Sequence, residues 1–166
     1  MEVGEYSVIH PDVKIGKNVI IGHHCIIQEG CEIGDNTRIE HFVLLKKGTK
    51  IGNGCYIDSY VRSSGDNKIG NNVTLRFGAT IAREVVVEDN VFISPNVMTI
   101  YSDHTGKKMP GTEICEGAHI GTAAVLGPAV YVGPRAVVGA MAFVKANASL
   151  DANGIYIGIP ARKLEK

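Results

Sequence analysis

The sequence predicts an all-β protein, a parallel β-helix wound from triangular coils with three six-residue sides each. Three observations carry this expectation. An aliphatic residue recurs every six positions, from Ile9, Ile15 and Ile21 onward to Ile93, and again from Ile114 to Leu150 in a register shifted by three; 21 of these 22 positions hold Ile, Leu or Val, and Ser63 is the exception. Four residues after each aliphatic stands a small or slender side chain, such as Val19, Cys25, Ala79, Val97, Ala124 and Ala136, with Asn67 the exception. The residue directly after the aliphatic is often glycine, as at Gly16, Gly22, Gly34, Gly52, Gly70, Gly121, Gly127, Gly133 and Gly139.

Each element follows from that spacing. A period of six fits neither a helix nor the plain alternation of a hairpin. The aliphatic residue and the slender residue two positions before it share one face of a short strand, so both point inward. The residues between them turn a corner, where glycine is expected to relieve a positive φ. Three sides close a coil, and coils stack at the strand spacing of about 4.8 Å, each covering its neighbour's apolar ends. Cys25, Cys31 and Cys55 fall in the slender inward column and read as core filler, while Cys115 falls at a turn. Neither a disulfide framework nor a metal-ligand spacing is evident, and no metal is expected. The expected organisation is a single domain over 1–166, with repeats over 9–155 and a short tail over 156–166.

The repeat breaks twice. Ser63–Lys68 keeps the six-residue length but puts polar residues at both inward positions, which reads as a side pushed out into a loop. After Met98 the period is lost until Ile114, and the intervening 99–113 segment reads as an excursion bearing Tyr101, Asp103, His104, Lys107 and Lys108. Loops held by a rigid scaffold are favoured places for catalytic groups.

Composition limits the function classes. Lys plus Arg and Asp plus Glu are 17 each, so the formal charge is zero and the chain offers no global attraction for nucleic acid or an anionic membrane. The longest stretch free of charge and histidine, 120–134, is broken by Gly and Pro and is shorter than the roughly 20 residues that span a bilayer. The first residues lack the basic and apolar regions of a signal peptide, so a cytoplasmic protein is expected.

The repeat over residues 9 to about 155 resembles that of the hexapeptide-repeat acyltransferases, and the resemblance implies a left-handed winding. The run Ile93-Ser94-Pro95-Asn96-Val97, followed seven residues later by His104, looks like the sugar O-acetyltransferases, in which such a run precedes a loop carrying the catalytic histidine. This chain differs in having Thr105 after the histidine, a shorter loop, and Gly78 where the family places an asparagine. The early start of the repeats is more similar to the nucleotide-sugar N-acyltransferases. The resemblance implies a homotrimer with sites in the clefts between subunits, acetyl-coenzyme A or another acyl-coenzyme A as co-substrate, and a sugar or nucleotide sugar as acceptor.

Acyl transfer from a thioester to an amine or hydroxyl needs a base, donors for the oxyanion, and both substrates held together. His104 is the expected general base, acting in a ternary complex, and a backbone N–H near the turn at Gly121 is the expected oxyanion donor. Asp103 is a candidate to orient the ring. His119, outward on its strand, is the reserve base. Phe77, Asn96, Tyr101 and Asp103 are the expected acceptor-binding residues. Gly121, Thr122, Ala123, Gly139 and Ala140 supply small side chains along which a pantetheine arm can lie. The ending Gly158-Ile159-Pro160-Ala161-Arg162-Lys163 resembles the family's closing run, which assigns Arg162, and more weakly Lys163 and Lys145, to the coenzyme phosphates. His23 and His41, three six-residue steps apart, are expected to stack as surface corner residues, with His10 and His24 exposed. Two other readings share the fold: a β-helix that binds without catalysing, and a gamma-class zinc carbonic anhydrase. The latter needs two histidines five residues apart, which this chain lacks.

Overall fold

The computed structural model describes residues 1–165, and every regular element among them is a β-strand, almost all of two residues. The strands stack into three faces. The first runs from Glu2–Val3 through Ile20–Ile21 and Arg38–Ile39 to Ile155–Ile157. The second runs from Val8–Ile9 to Phe143–Val144, and the third from Lys14–Ile15 to Ser149–Leu150. Successive strands of a face are parallel and one full coil apart in the chain, as in Ile26↔Leu44 and Glu32↔Lys50. This is the stacked triangular coil that the period of six predicts, and it accords with the left-handed winding.

The second residue of each strand points inward. On the first face Ile21, Ile39, Ile57, Leu75, Ile93, Ile120 and Val138 are each at most 1% exposed. Burying one such side chain is worth about 1.5–3 kcal/mol, so each coil is held chiefly by the coils above and below it. Cys25, Cys31 and Cys55 are buried in this column as expected, and their thiols donate to the carbonyls of Glu40, Lys46 and Gly70 at 3.0, 3.3 and 3.1 Å. Burial pushes all three thiols up from the ordinary cysteine range. The helix begins earlier than the sequence reading has it: Glu2–Val3 pairs with Ile20–Ile21, and Val3 lies one six-residue step before Ile9. Beyond 155 the chain folds back, pairing Ile155–Ile157 antiparallel with Arg162–Lys163 and closing the first face.

The corners correct one expectation. The nine glycines expected to relieve a positive φ, from Gly16 to Gly139, do not take one. They are needed for room: a Cβ on Gly34 would stand 2.5 Å from the Gly52 carbonyl carbon, and one on Gly121 would stand 2.5 Å from Ala140 N. The positive φ falls two residues later. Asn18, Asn36, Asn72 and Asn90 take it between the third and first faces. Between the first and second faces Tyr6, His24, Phe42 and Tyr60 take it, with ring centroids 4.9–5.1 Å apart. Stacking offsets the cost of placing bulky side chains in that region.

The two corners also cap their backbones alike. Lys17, Asp35, Asn53 and Asn71 N–H groups donate to Oδ1 of Asp35, Asn53, Asn71 and Asp89 one coil on, at 2.6–2.9 Å. At the other corner Glu5 and His23 N–H groups donate to Nδ1 of His23 and His41, at 2.8 and 2.9 Å. The His23–His41 stack expected from their spacing is therefore a backbone cap.

The Ser63–Lys68 segment is not pushed out. Ser63 and Asn67 are at most 2% exposed, and the coil-to-coil register passes through them unchanged. Ser63 Oγ lies 2.5 Å from Thr49 Oγ1 and donates to Asn67 Oδ1 at 2.5 Å, and Asn67 Nδ2 donates to the Ala82 carbonyl. The polar side chains satisfy one another inside the prism, so the backbone has no reason to leave it. The 99–113 excursion is real. Met98 pairs with Val125 and Phe92 with His119, so this coil is longer than the regular one by nine residues, added at the corner between the second and third faces.

Candidate active site

The excursion is a small hairpin. Ser102 bridges Lys108 antiparallel, Met109 N–H donates to Tyr101 O at 2.8 Å, and Gly106, at φ +81°, makes the turn. Asp103 holds the tip: its Oδ1 accepts from Thr105 N, Thr105 Oγ1 and Lys107 N at 2.6–3.0 Å. These bonds, the Thr105 hydroxyl first, hold the Asp103 carboxyl below the usual carboxylate range. Asp103 therefore orients its own loop, not the His104 ring. His104 is exposed at the tip, and Tyr101, at the base of the hairpin, is exposed as well.

The other candidate residues lie elsewhere on the prism. Phe77, Asn96, Gly121, Thr122, Ala123, Gly139 and Ala140 line the corner between the first and second faces. His119 stands outward on the first face, and Arg162 and Lys163 lie on the hairpin that closes that face. Tyr101, Asp103, His104 and Lys145 belong to the corner between the second and third faces, opposite the first face. A single chain thus gathers the small-residue edge with His119 and keeps His104 away from both. Arg162 is exposed, whereas Lys163 Nζ is committed to Asp151 Oδ2 at 2.7 Å. That pairing raises the Lys163 amine and lowers the Asp151 carboxyl from their ordinary ranges.

Around His119 the geometry is well defined. Its ring lies parallel to that of Phe92, with centroids 5.1 Å apart and an interplanar angle of 5°. Its Nε2 is 3.4 Å from Oγ of Ser94, which is 5% exposed. Gly121 follows on the same coil, but its N–H donates to Val138 O at 2.7 Å, and Ala123 N–H donates to Pro95 O at 2.9 Å. The Gly121 and Ala123 amides are thus committed to the backbone, whereas the Thr122 N–H in the same turn has no backbone acceptor among the described residues. Sequence reasoning gave Ser94 no role. Its meeting with His119 becomes legible only once the excursion is counted as nine extra residues.

Two concavities of about 410 Å³ each lie away from His104 and His119. One is under the closing hairpin, lined by Asn153, Ile155, Lys163 and Leu164, and the other is on the third face around Lys50 and Lys68. Glu88, Glu113 and Cys115 have ligand atoms within 4.8 Å of one another on the third face and its edge, a set that could hold a metal ion. Burial, partly offset by Tyr131, raises the Cys115 thiol above its ordinary range, which opposes the thiolate a metal needs. No helix among the described residues is long and apolar enough to cross a membrane.

The family described as the GMPPB C-terminal domain matches residues 3–104, more than half of the chain. No curated protein matches. Among solved structures, the acetyltransferase domain of PglB from Neisseria gonorrhoeae is 20% identical with a TM-score of 0.49; the match covers 95% of this chain, which spans only 57% of that one. A UDP-N-acetylglucosamine acyltransferase from Campylobacter jejuni is 19% identical with a TM-score of 0.70, over 96% of this chain and 72% of that one. A variant of AntD, an N-acyltransferase from Bacillus cereus in complex with dTDP and coenzyme A, is 26% identical with a TM-score of 0.59, over 98% of this chain and 84% of that one.

Proposed function

The chain belongs to the family of the GMPPB C-terminal domain, and we propose that it is a coenzyme A-dependent acyltransferase that acylates the amine of a nucleotide-linked sugar. The observation that carries this reading is the likeness to AntD along 98% of the chain at 26% identity. The small-residue edge of Gly121, Thr122, Ala123, Gly139 and Ala140 supports it, because backbone without bulky side chains accepts an extended pantetheine arm. Arg162 meets the coenzyme phosphates. Phe77, Asn96 and Tyr101 contact the acceptor, and Asp103 shapes the loop that holds it. His104 takes the proton of the attacking nitrogen. Because His104 stands on the corner opposite the first face, the working enzyme is a homotrimer in which one copy's excursion reaches the small-residue edge of the next.

Thiol release from acetyl- and 3-hydroxybutyryl-coenzyme A, measured over a panel of amino and hydroxy sugars, free and nucleotide-linked, tests the reading. Release with a nucleotide-linked amino sugar is expected, and no release above background with any pairing would overturn it. The second reading on the same fold is a β-helix that binds a nucleotide sugar without catalysing. Calorimetric binding of the sugar without thiol release would establish that instead.

A further inference from the structure

We propose that Ser94 and His119 form a two-donor site for the carbonyl oxygen of the bound thioester, an inference that rests on the acyl-transfer reading above. Ser94 Oγ and His119 Nε2 are 3.4 Å apart. That is long for a hydrogen bond between them, yet an oxygen about 2.8 Å from each can accept from both. Ser94 is nearly buried, and His119 is its one side-chain hydrogen-bond partner among the described residues. Its N–H donates to Ile120 O at 2.9 Å, which locks Ser94 against the strand that carries His119. The parallel Phe92 ring fixes the imidazole plane. Gly121, two residues after His119, has its amide committed to Val138 O, so it does not compete with these two side chains as a donor.

The acceptor nitrogen's lone pair forms the C–N bond, and the carbonyl π pair moves onto oxygen, which accepts hydrogen bonds from Ser94 Oγ–H and His119 Nε2–H. The pair then returns, the C–S bond breaks, and sulfur leaves as thiolate with its electrons. The proton lost by nitrogen passes through the base to the thiolate. Ser94 and His119 end the step in the protonation states in which they began, so His119 acts as a donor and not as the base.

The test uses the full chain with acetyl-coenzyme A labelled with ¹³C at the thioester carbonyl. Infrared difference spectra of the wild type should show the bound carbonyl at lower frequency than in water. His119→Ala and Ser94→Ala should each move it back toward the free value and lower kcat by roughly 100-fold, with coenzyme A affinity unchanged within about twofold. Ser94→Thr should restore both readouts. An unchanged band and kcat in both alanine variants, with binding intact, would overturn the two-donor site and leave acyl transfer standing. A wild type that binds no acyl-coenzyme A would overturn both.

Discussion

Two segments at the corner between the second and third faces, Ser63–Asn67 and Thr99–Thr112, stand two coils apart and resolve polar sequence in opposite directions. In the first, the spacing is unchanged and the polar side chains turn inward, with Ser63 and Asn67 bonded to each other and to the coils on either side. In the second, nine residues are added and the backbone turns outward. Both ends of the excursion are nonetheless anchored by buried hydroxyls. Thr99 Oγ1 accepts from Ala82 N at 2.7 Å, and Thr112 Oγ1 donates to Gly127 O at 3.1 Å. Polarity alone therefore does not open a β-helix; a change in count does. A polar residue at an inward position asks only for partners, and the adjacent coils supply them at fixed height.

The largest effect should come from breaking the inward network. Asn67→Ala leaves the Ser63 hydroxyl and the Ala82 carbonyl without their partner inside the prism. A loss of about 2–4 kcal/mol is expected, read as a Tm lower by roughly 6–12 °C. The double variant Ser63→Val with Asn67→Val should cost no more than Asn67→Val alone, because it removes both partners together. A fully additive double variant would mean that the two residues act independently. On the outward segment the effect should be on chemistry instead. His104→Ala should lower kcat by at least about 100-fold while moving Tm by less than about 1 °C, as expected for an exposed side chain. An unchanged kcat would remove His104 from the base role.

The fold was legible because every six-residue side shows its inside at the same two positions, so 22 repeats report one geometry. Three things escaped. Val3 continues the period, but a single aliphatic at the open end carries little weight against the polar residues beside it. The glycines after the strands were visible, yet a glycine that makes room and one that permits a positive φ look the same in sequence; only the packed coil separates Gly34 from Gly30. Ser63 and Asn67 looked like a loop because each lacks an apolar side chain, and the partner that satisfies each lies on another coil or across the turn. Of the candidate site, the excursion and the small-residue edge were legible. Their placement on opposite sides of one prism was not, since it depends on which of three equivalent corners each coil assigns to a residue.

Two smaller effects would sharpen the contrast by separating the excursion's internal order from its attachment. Asp103 ties the tip together as a carboxylate whose acidity is strengthened by the bonds it accepts. A carboxyl held below its ordinary range stabilises its loop above that range and loses its contribution as pH falls through the lowered value. Amide exchange at Thr105 and Lys107 should accordingly quicken under acid, and Asp103→Ala should show fast exchange there already at neutral pH, with the inward network's amides unaffected. Exchange that is independent of both pH and the substitution would mean that the hairpin is ordered by its Ser102–Lys108 bridge alone.

The smallest effect should come from Lys108→Ala. Lys108 Nζ pairs with Glu84 Oε1 across to the coil below, but both side chains are well exposed. An exposed pair of this kind is worth at most about 0.5–1 kcal/mol and weakens with salt. A Tm change of no more than about 2–3 °C is expected, vanishing in high salt. A large, salt-independent loss would show that the excursion is tethered by this one ion pair. The near-neutral result would place the tether where the buried threonines are, at the points where the extra residues leave and rejoin the prism.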